Sequence, residues 1–374
     1  MNTVVERDEA WMRRAIECAR RGWGQTHPNP MVGAVVVESD QLLSEGWHEC
    51  AGKPHAEPNA LNPLHGRDLS RATLYVTLEP CSTWGRTPPC TERILQSGIK
   101  RVVVGARDPN PAHAGRAFGL LREKGIEVVG PVLERECNDL NLIFNHWIVQ
   151  KKPFIAGKLA LTIDGCIATR AGHSQWITGP VARQDVMQWR RYFPAIAVGS
   201  ETILNDNSAL TARIADQPVS CGVRLILDRR FRLEKQSELT VFSDSFAAKT
   251  VLFIDQKRLQ EKTESVKLFQ EKGVQFVPVK EGDSLAAMEA YAVEHGLCGV
   301  YLEGGAGVLS AALEQKRLDY LFIYQAPKIL GDREARRGFS GRSPLEMSDA
   351  LTLDDVHQTV LDPDHLVRGK VVYP

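Results

Sequence analysis

One His and two Cys, His55, Cys81 and Cys90, constrain this chain more than any other residues. Three ligands of this kind suit a tetrahedral Zn²⁺ that keeps its fourth position for water, and they must converge on one point. Glu57 lies two residues beyond His55 and need not be a ligand. Pro80 precedes Cys81, and eight residues separate Cys81 from Cys90.

The order H-x-E, then P-C-spacer-C, is that of zinc-dependent base deaminases, in which the Glu carries protons and does not bind metal. The common spacer is two residues; here it is eight. The chemistry accounts for the residue types. Thiolates and imidazole hold the metal, the metal acidifies water, and Glu57 moves the proton to a ring nitrogen and the departing ammonia. The competing reading is a purely structural zinc, or a buried His beside two buried thiols. Neither has a use for Glu57.

A chain of 374 residues predicts two domains. Lys plus Arg and Asp plus Glu are both 46, so no overall basic field draws nucleic acid. No apolar run reaches membrane-spanning length, and Met1 to Glu9 is polar, without a signal-peptide core. With no export signal, the eight Cys are expected as reduced thiols or ligands in a cytoplasmic protein.

In chain order, Asp8 to Arg21 reads as a helix capped by Asp8, with Trp11, Met12, Ala15, Ile16 and Ala19 on one face. Asn29 lies between two prolines on a loop. Its amide is able to read a pyrimidine edge, though alone it reads first as a turn residue. Strands are expected at 32–38, 42–47 and 72–78, with His48 after the second and Cys81 just beyond the third. Helices at 56–64 and 91–96 begin at His55 and Cys90, where free N–H groups favour thiolate. A strand at 101–106, a helix at 116–124, a strand at 126–132 and a helix at 134–150 complete an α/β first domain of residues 1–150. The loop 108–111 ends one of its strands, where α/β proteins place ligand groups.

The second domain, 151–374, opens with an apolar strand that contains one Lys, Lys158. Such a Lys is either an edge gatekeeper or a buried charge with a ligand. A helix is expected to end at Phe193, and further strands at 195–199, 223–228, 250–254, 274–279, 298–302, 318–325 and 365–373. Glu303-Gly304-Gly305-Ala306-Gly307 joins one of these strands to a helix at 308–315. This arrangement fits a phosphate-bearing ligand or a tight turn, and it lacks the G-x-G-x-x-G pattern. Residues 331–349 read as a mobile loop.

Several stretches together resemble the bifunctional riboflavin-biosynthesis deaminase–reductase family. They are Pro28-Asn29-Pro30-Met31-Val32-Gly33, His55-Ala56-Glu57, Leu74 to Cys81, Gly85-Arg86-Thr87-Pro88-Pro89-Cys90 and Asp108-Pro109-Asn110-Pro111. In the second half they are Trp176-Ile177-Thr178-Gly179, Leu210-Thr211-x-Arg213 and Glu303-Gly304-Gly305. The resemblance implies a cytidine-deaminase-like layered α/β domain followed by a dihydrofolate-reductase-like α/β domain. The first would deaminate 2,5-diamino-6-(5-phosphoribosylamino)pyrimidin-4-one. The second would use NADPH to reduce the ribosyl group to ribityl. His55, Cys81 and Cys90 match the ligands of one Zn²⁺ per chain, and Glu57 the proton carrier.

The resemblance places Asn29, His48, Ser174, Arg190, Leu210, Arg213 and Glu303 at the substrate, with Arg190 and Arg213 apt for its phosphate. Ala160, Trp176, Thr202, Asp206 and the run Gly305, Ala306, Gly307, Val308, Leu309, Ser310 and Ala311 match cofactor contacts. Lys158 and Asp206 match catalytic positions of the reductase. Arg229 or Arg230, just after a strand, is available for the 2′-phosphate. The expected partner is a small phosphoribosyl molecule, with no nucleic acid or membrane, in a homo-oligomer (dimer or tetramer). Thr83, Trp84 and Asn59 stand where the family frequently has His, and Asp206-Asn207-Ser208 stands for Asp-Asp-Pro. A tRNA or nucleoside deaminase with an unrelated appended domain is the rival enzyme reading, and a non-enzymatic zinc-binding module the rival from another class. Neither rival would bind NADPH.

Overall fold

The computed structural model describes residues 3–84, 88–111, 113–280 and 283–374, so Gly85, Arg86 and Thr87 of the family motif lie outside the described residues. The chain divides into two compact units, Met1–Lys151 and Lys152–Pro374.

The first unit is a five-stranded sheet: β1 (Gly33–Glu38), β2 (Gln41–Trp47), β3 (Thr73–Leu78), β4 (Arg101–Ala106) and β5 (Glu127–Val129). The order is β2-β1-β3-β4-β5. β1 runs antiparallel to both neighbours, whereas β3, β4 and β5 are parallel. Ser39 and Asp40, both at positive φ, turn the β1–β2 hairpin. Helices α1 (Val4–Ala19), α2 (Ala56–Leu61), α3 (Cys90–Ser97), α4 (Arg116–Glu123), α5 (Glu134–Leu140) and α6 (Leu142–Gln150) complete the unit. α1 buries Met12, Ala15, Ile16 and Ala19. Only glycine fits at the start of β1, because a Cβ on Gly33 would lie 2.1 Å from the Ala15 carbonyl oxygen.

Asp8 does not cap α1. Thr3 does, in a capping box with Glu6, and the helix starts earlier. Asp8 is buried instead, accepting from Tyr75 Oη at 2.9 Å and from Arg101 Nη2 at 2.7 Å. The helix expected over 134–150 is two, broken at Asn141, whose side chain is spent on Met31.

In the second unit, the strands are β6 (Phe154–Thr162), β7 (Cys166–Ala168), β8 (Ala195–Gly199), β9 (Val223–Leu227), β10 (Thr250–Asp255), β11 (Gln275–Val279), β12 (Gly299–Glu303), β13 (Tyr320–Ala326), β14 (Arg336–Arg337), β15 (Thr352–Leu361) and β16 (Asp364–Val372). Nine of them form one sheet, ordered β11-β10-β9-β8-β12-β6-β13-β16-β15. The run from β11 to β13 is parallel, and β16 and β15 are antiparallel additions. Both faces are covered. Leu225, Val251 and Phe253 pack in one core and Ile226, Leu252 and Ile254 in the other.

β6 lies between β12 and β13, so Lys158 is not on an edge. The first part of the segment 331–349 is anchored, whereas residues 341–349 are exposed throughout. Gly331 N–H donates to Asp164 at 2.9 Å, Arg170 forms a two-point pair with Asp332 at 2.7 Å, and Arg336–Arg337 pair with β7. β15 has no counterpart among the expected strands. No helix among the described residues is long and apolar enough to cross a membrane.

Candidate active sites

In the first unit, β3 delivers Glu79-Pro80-Cys81 at its carboxyl end, His55 immediately precedes α2, and Cys90 opens α3. Their ligand atoms all lie within 4.8 Å of one another. His55 Nδ1 is 3.3 Å from Cys90 Sγ and 3.6 Å from Cys81 Sγ. Zinc bonds of about 2.0–2.3 Å in a tetrahedron set ligand atoms roughly 3.5–3.8 Å apart, so the trio fits such an ion. The Cys90 N–H donates to Cys81 Sγ at 3.3 Å, and the Thr91 N–H to the Cys81 carbonyl at 3.2 Å. Hydrogen bonding from Cys90 pulls the Cys81 thiol well below its ordinary value, and Cys90 moves up as its donor. The hydrogen bond to Cys81 raises His55.

Glu57 is buried in the first turn of α2, and burial pushes its carboxyl above the ordinary range. Two further expected residues lie beside the trio. The His48 ring meets that of His55 edge-on at 5.5 Å. Its Nδ1 is 3.0 Å from the Pro54 carbonyl, which only accepts, so Nδ1 carries the proton. Burial lowers the His48 pKa, and in the neutral ring Nε2 accepts from the Asn29 amide at 3.2 Å. One N–H of the amide is thereby engaged, which fixes the side chain of Asn29 against His48.

Two further residues hold the segments around the trio in place. Asn141 holds the backbone of Met31, just past the Asn29 loop. Glu79 accepts from the N–H groups of Asp108, Gly115 and Ala117 at 3.2, 2.9 and 3.0 Å, tying the segment before Cys81 to the loop 108–111 and to α4. The sequence signals were an acid at the end of an apolar strand and an amide inside an apolar helix pattern.

In the second unit a polar cluster lies at the carboxyl ends of the central parallel strands, where α/β sheets place ligands. Lys158 on β6 is paired in register with Glu303 on β12. Arg190, from α7 (Pro180–Tyr192), grips Glu303 at two points, Nε–Oε1 2.5 Å and Nη2–Oε2 2.8 Å, and donates to the Thr211 carbonyl at 3.1 Å. Burial opposes both charges, yet the pair holds Glu303 below and Arg190 above their ordinary values. Burial lowers Lys158, with Glu303 and Asp206 countering it. Asp206 ends α8 (Ser200–Asp206), and burial raises it against the pull of Lys158.

Thr202 is also on α8, and the glycine run forms the start of the helix Ala306–Glu314. The two helix starts meet, since a Cβ on Gly199 would lie 2.9 Å from Val308 Cγ2. Gly305 caps the helix Ala306–Glu314 without a side-chain bond, and nothing lies within 4 Å of where a Cβ of Gly305 or Gly307 would be. Free N–H groups with open space above them fit a phosphate. Leu210 is buried at positive φ, while Arg213 and Trp176 are exposed, Trp176 with the Arg183 guanidinium 4.5 Å above its ring. Ser174 and Ala160 are half-buried.

Comparison with known proteins agrees on both units. Residues 5–106 match the family described as cytidine and deoxycytidylate deaminase zinc-binding region, and residues 153–367 the RibD C-terminal domain. The riboflavin biosynthesis protein RibD of Actinobacillus pleuropneumoniae is 38% identical over 373 residues, 98% of this chain and 96% of that one. That of Aquifex aeolicus is 41% identical over 332 residues, covering 88% and 89%. Among solved structures, Acinetobacter baumannii RibD has a TM-score of 0.80 at 34% identity, covering 98% of this chain and 99% of its own. A diaminohydroxyphosphoribosylaminopyrimidine deaminase/5-amino-6-(5-phosphoribosylamino)uracil reductase from Thermotoga maritima has a TM-score of 0.80 at 35% identity, covering 98% and 99%. The chain belongs to the RibD family of bifunctional riboflavin-biosynthesis enzymes, with a deaminase domain followed by a reductase domain.

Proposed function

We propose that the unit Met1–Lys151 deaminates 2,5-diamino-6-(5-phosphoribosylamino)pyrimidin-4-one and that the unit Lys152–Pro374 reduces the ribosyl group of the product to ribityl with NADPH. The convergence of His55, Cys81 and Cys90 beside buried Glu57 supports the first step most directly. One Zn²⁺ per chain, bound by that trio, supplies the Lewis acidity that activates water near neutral pH. Glu57 takes the water proton and returns it to the ring nitrogen and to ammonia. Its raised pKa suits both halves of that task. Asn29, with its amide held by His48, reads the pyrimidine edge.

In the second unit NADPH supplies the two electrons of reduction. Gly305 to Ala311, Thr202, Ala160, Trp176 and Asp206 hold the cofactor, with its phosphates at the helix start that Gly305 caps. Lys158 and Asp206 stand at the reacting sugar. Ser174, Leu210, Arg213 and the Arg190–Glu303 pair shape the substrate pocket. Because Glu303 occupies the fork of Arg190, exposed Arg213 is the freer group for the substrate phosphate. Arg229 and Arg230 line a cleft of about 320 Å³ with Lys257, Arg258, Asp255 and Glu261, and this excess of cations favours the 2′-phosphate of NADPH. A cytoplasmic location and self-association as a dimer or tetramer belong to the same reading.

The test is a zinc assay paired with NADPH titration on one preparation. Zinc near one equivalent together with saturable NADPH binding is expected. Zinc without NADPH binding would favour a deaminase with an unrelated second domain.

A further inference from the structure

The face of the sheet that carries Lys158 also carries a buried polar string unused by the mechanism above. Residues alternate along each strand, so Lys158 and Ala160 on β6, Tyr301 and Glu303 on β12, and Phe322 and Tyr324 on β13 all point to the side covered by α7. Tyr324 Oη donates to Asp185 Oδ2 on α7 at 2.6 Å. The Lys158 ammonium lies 5.8 Å from the centre of the Tyr324 ring. Tyr301 is fully buried with its hydroxyl beside that of Tyr324, and among the described residues it makes no well-aligned hydrogen bond. Below this string the face is aromatic: Phe193 stacks on Tyr301 at 4.9 Å, and Trp189 meets Phe322 at 4.6 Å. Lys158 therefore stands at the boundary between an apolar floor and a charged mouth.

We infer that Tyr324, fixed by Asp185, is a positioning residue that holds the Lys158 ammonium over its ring. This rests on Lys158 serving the reduction. The physical case is geometric. A long lysine chain has many rotamers, and an aromatic face on one side with the Glu303 carboxylate on the other selects among them. The Tyr324–Asp185 bond locks the ring to α7, the helix that also presents Arg190 to Glu303. The two contacts join β13 and β12 to one helix on either side of Lys158. The groups that bear on the ammonium are Glu303 on β12, Arg190 on α7, Asp206 on α8 and Tyr324 on β13, with Asp185 on α7 reaching it only through Tyr324. Glu303 and Asp206 raise its pKa, and Arg190 lowers it. The negative face of the ring adds to the raising side.

The experiment compares Tyr324→Phe, Tyr324→Leu, Asp185→Asn and Lys158→Ala in the full-length enzyme. The readouts are kcat for reduction against pH, NADPH Kd, ammonia release, and NMR titration of lysines carrying a ¹³Cε label, with the Lys158 signal assigned by its loss in Lys158→Ala. Removing the ring is expected to move the alkaline limb of kcat, and the Lys158 signal with it, to lower pH by about half a pH unit, the weak end of a cation–π contact. Tyr324→Phe keeps the ring and loses the tether, so kcat falls about three- to tenfold with a smaller movement of the limb. NADPH Kd and ammonia release stay at wild-type values in both. Should Tyr324→Leu lower only thermal stability, with the limb and the Lys158 signal unmoved, the inference is overturned. Tyr324→Phe supplies the same comparison if the Leu variant does not fold. If instead Lys158→Ala reduces substrate normally, it is the assigned role of Lys158 that fails, whereas an unmoved Lys158 signal in the Tyr324 variants refutes the positioning role itself.

Discussion

The side-chain amide of Asn141 clamps the backbone of Met31, accepting its N–H at 2.7 Å and donating to its carbonyl at 2.9 Å. One residue thereby links the break between α5 and α6 to the end of the loop that carries Asn29. Both bonds are buried, so Asn141→Ala leaves two backbone groups unsatisfied. A loss of about 2–4 kcal/mol is expected from urea unfolding of the first unit. Asn141→Asp keeps the acceptor and loses the donor, and should fall between Asn141→Ala and wild type.

Glu57→Gln keeps shape and removes the proton carrier. Deamination should fall by roughly two to four orders of magnitude. Zinc content should hold, because Glu57 is not among the three ligands, whereas Cys81→Ser should lose the metal. Reduction of already deaminated substrate should stay near wild type. An assay that follows ammonia and NADPH separately decides this, and loss of reduction in a folded Glu57→Gln protein would refute two independent sites.

The converse holds for Asp206→Asn. Its carboxylate shares the pocket with Lys158 and is remote in sequence from the zinc trio. Reduction should fall at least tenfold while ammonia release is spared. A matched loss of both activities would contradict the assignment.

Cofactor preference is expected to reside in the cleft of Arg229 and Arg230. NADPH should bind more tightly than NADH, and Arg230→Ala should weaken NADPH by about tenfold while leaving NADH unchanged, the size of one charge-assisted contact at an exposed site. Equal weakening of both dinucleotides would point to misfolding of the cleft.

Much of this was legible in the sequence. The β3 strand ending at Cys81, the helices beginning at His55 and Cys90, and the glycine start of the helix Ala306–Glu314 all follow from local pattern and capping chemistry. Where the sequence misled, a tertiary partner had overridden a local preference. Asp8 resembles a cap but is claimed by Tyr75 and Arg101, while Thr3 and Glu6, a true capping box, stand five and two residues earlier. Asn141 lies in an unbroken helical pattern and breaks it because Met31 takes its amide. β15 alternates without a strong apolar face, since it forms the rim of the sheet. The Tyr324–Asp185 bond spans 139 positions, so no local pattern signals it.

Stability of the second unit should carry a specific pH signature. Asp319 Oδ2 accepts the Ile155 N–H at 2.8 Å, and burial pushes its carboxyl from 3.8 up to about 6. The folded state then binds more protons than the unfolded state between those two values. The contribution is fully present below about pH 4 and is lost as pH rises through 6. Asp319→Asn keeps an acceptor and should flatten the difference by on the order of 1–3 kcal/mol across that window, read from urea midpoints at pH 4.5 and 7.5.

The stitching of Cys90 and Thr91 to Cys81, through backbone N–H groups at 3.3 and 3.2 Å, closes the two ends of the intervening segment on themselves. The ligand triangle is thus fixed by the stitched ends. Spacer length becomes a free variable of evolution, open to lengthening and recomposition while the ligand triangle stays in place.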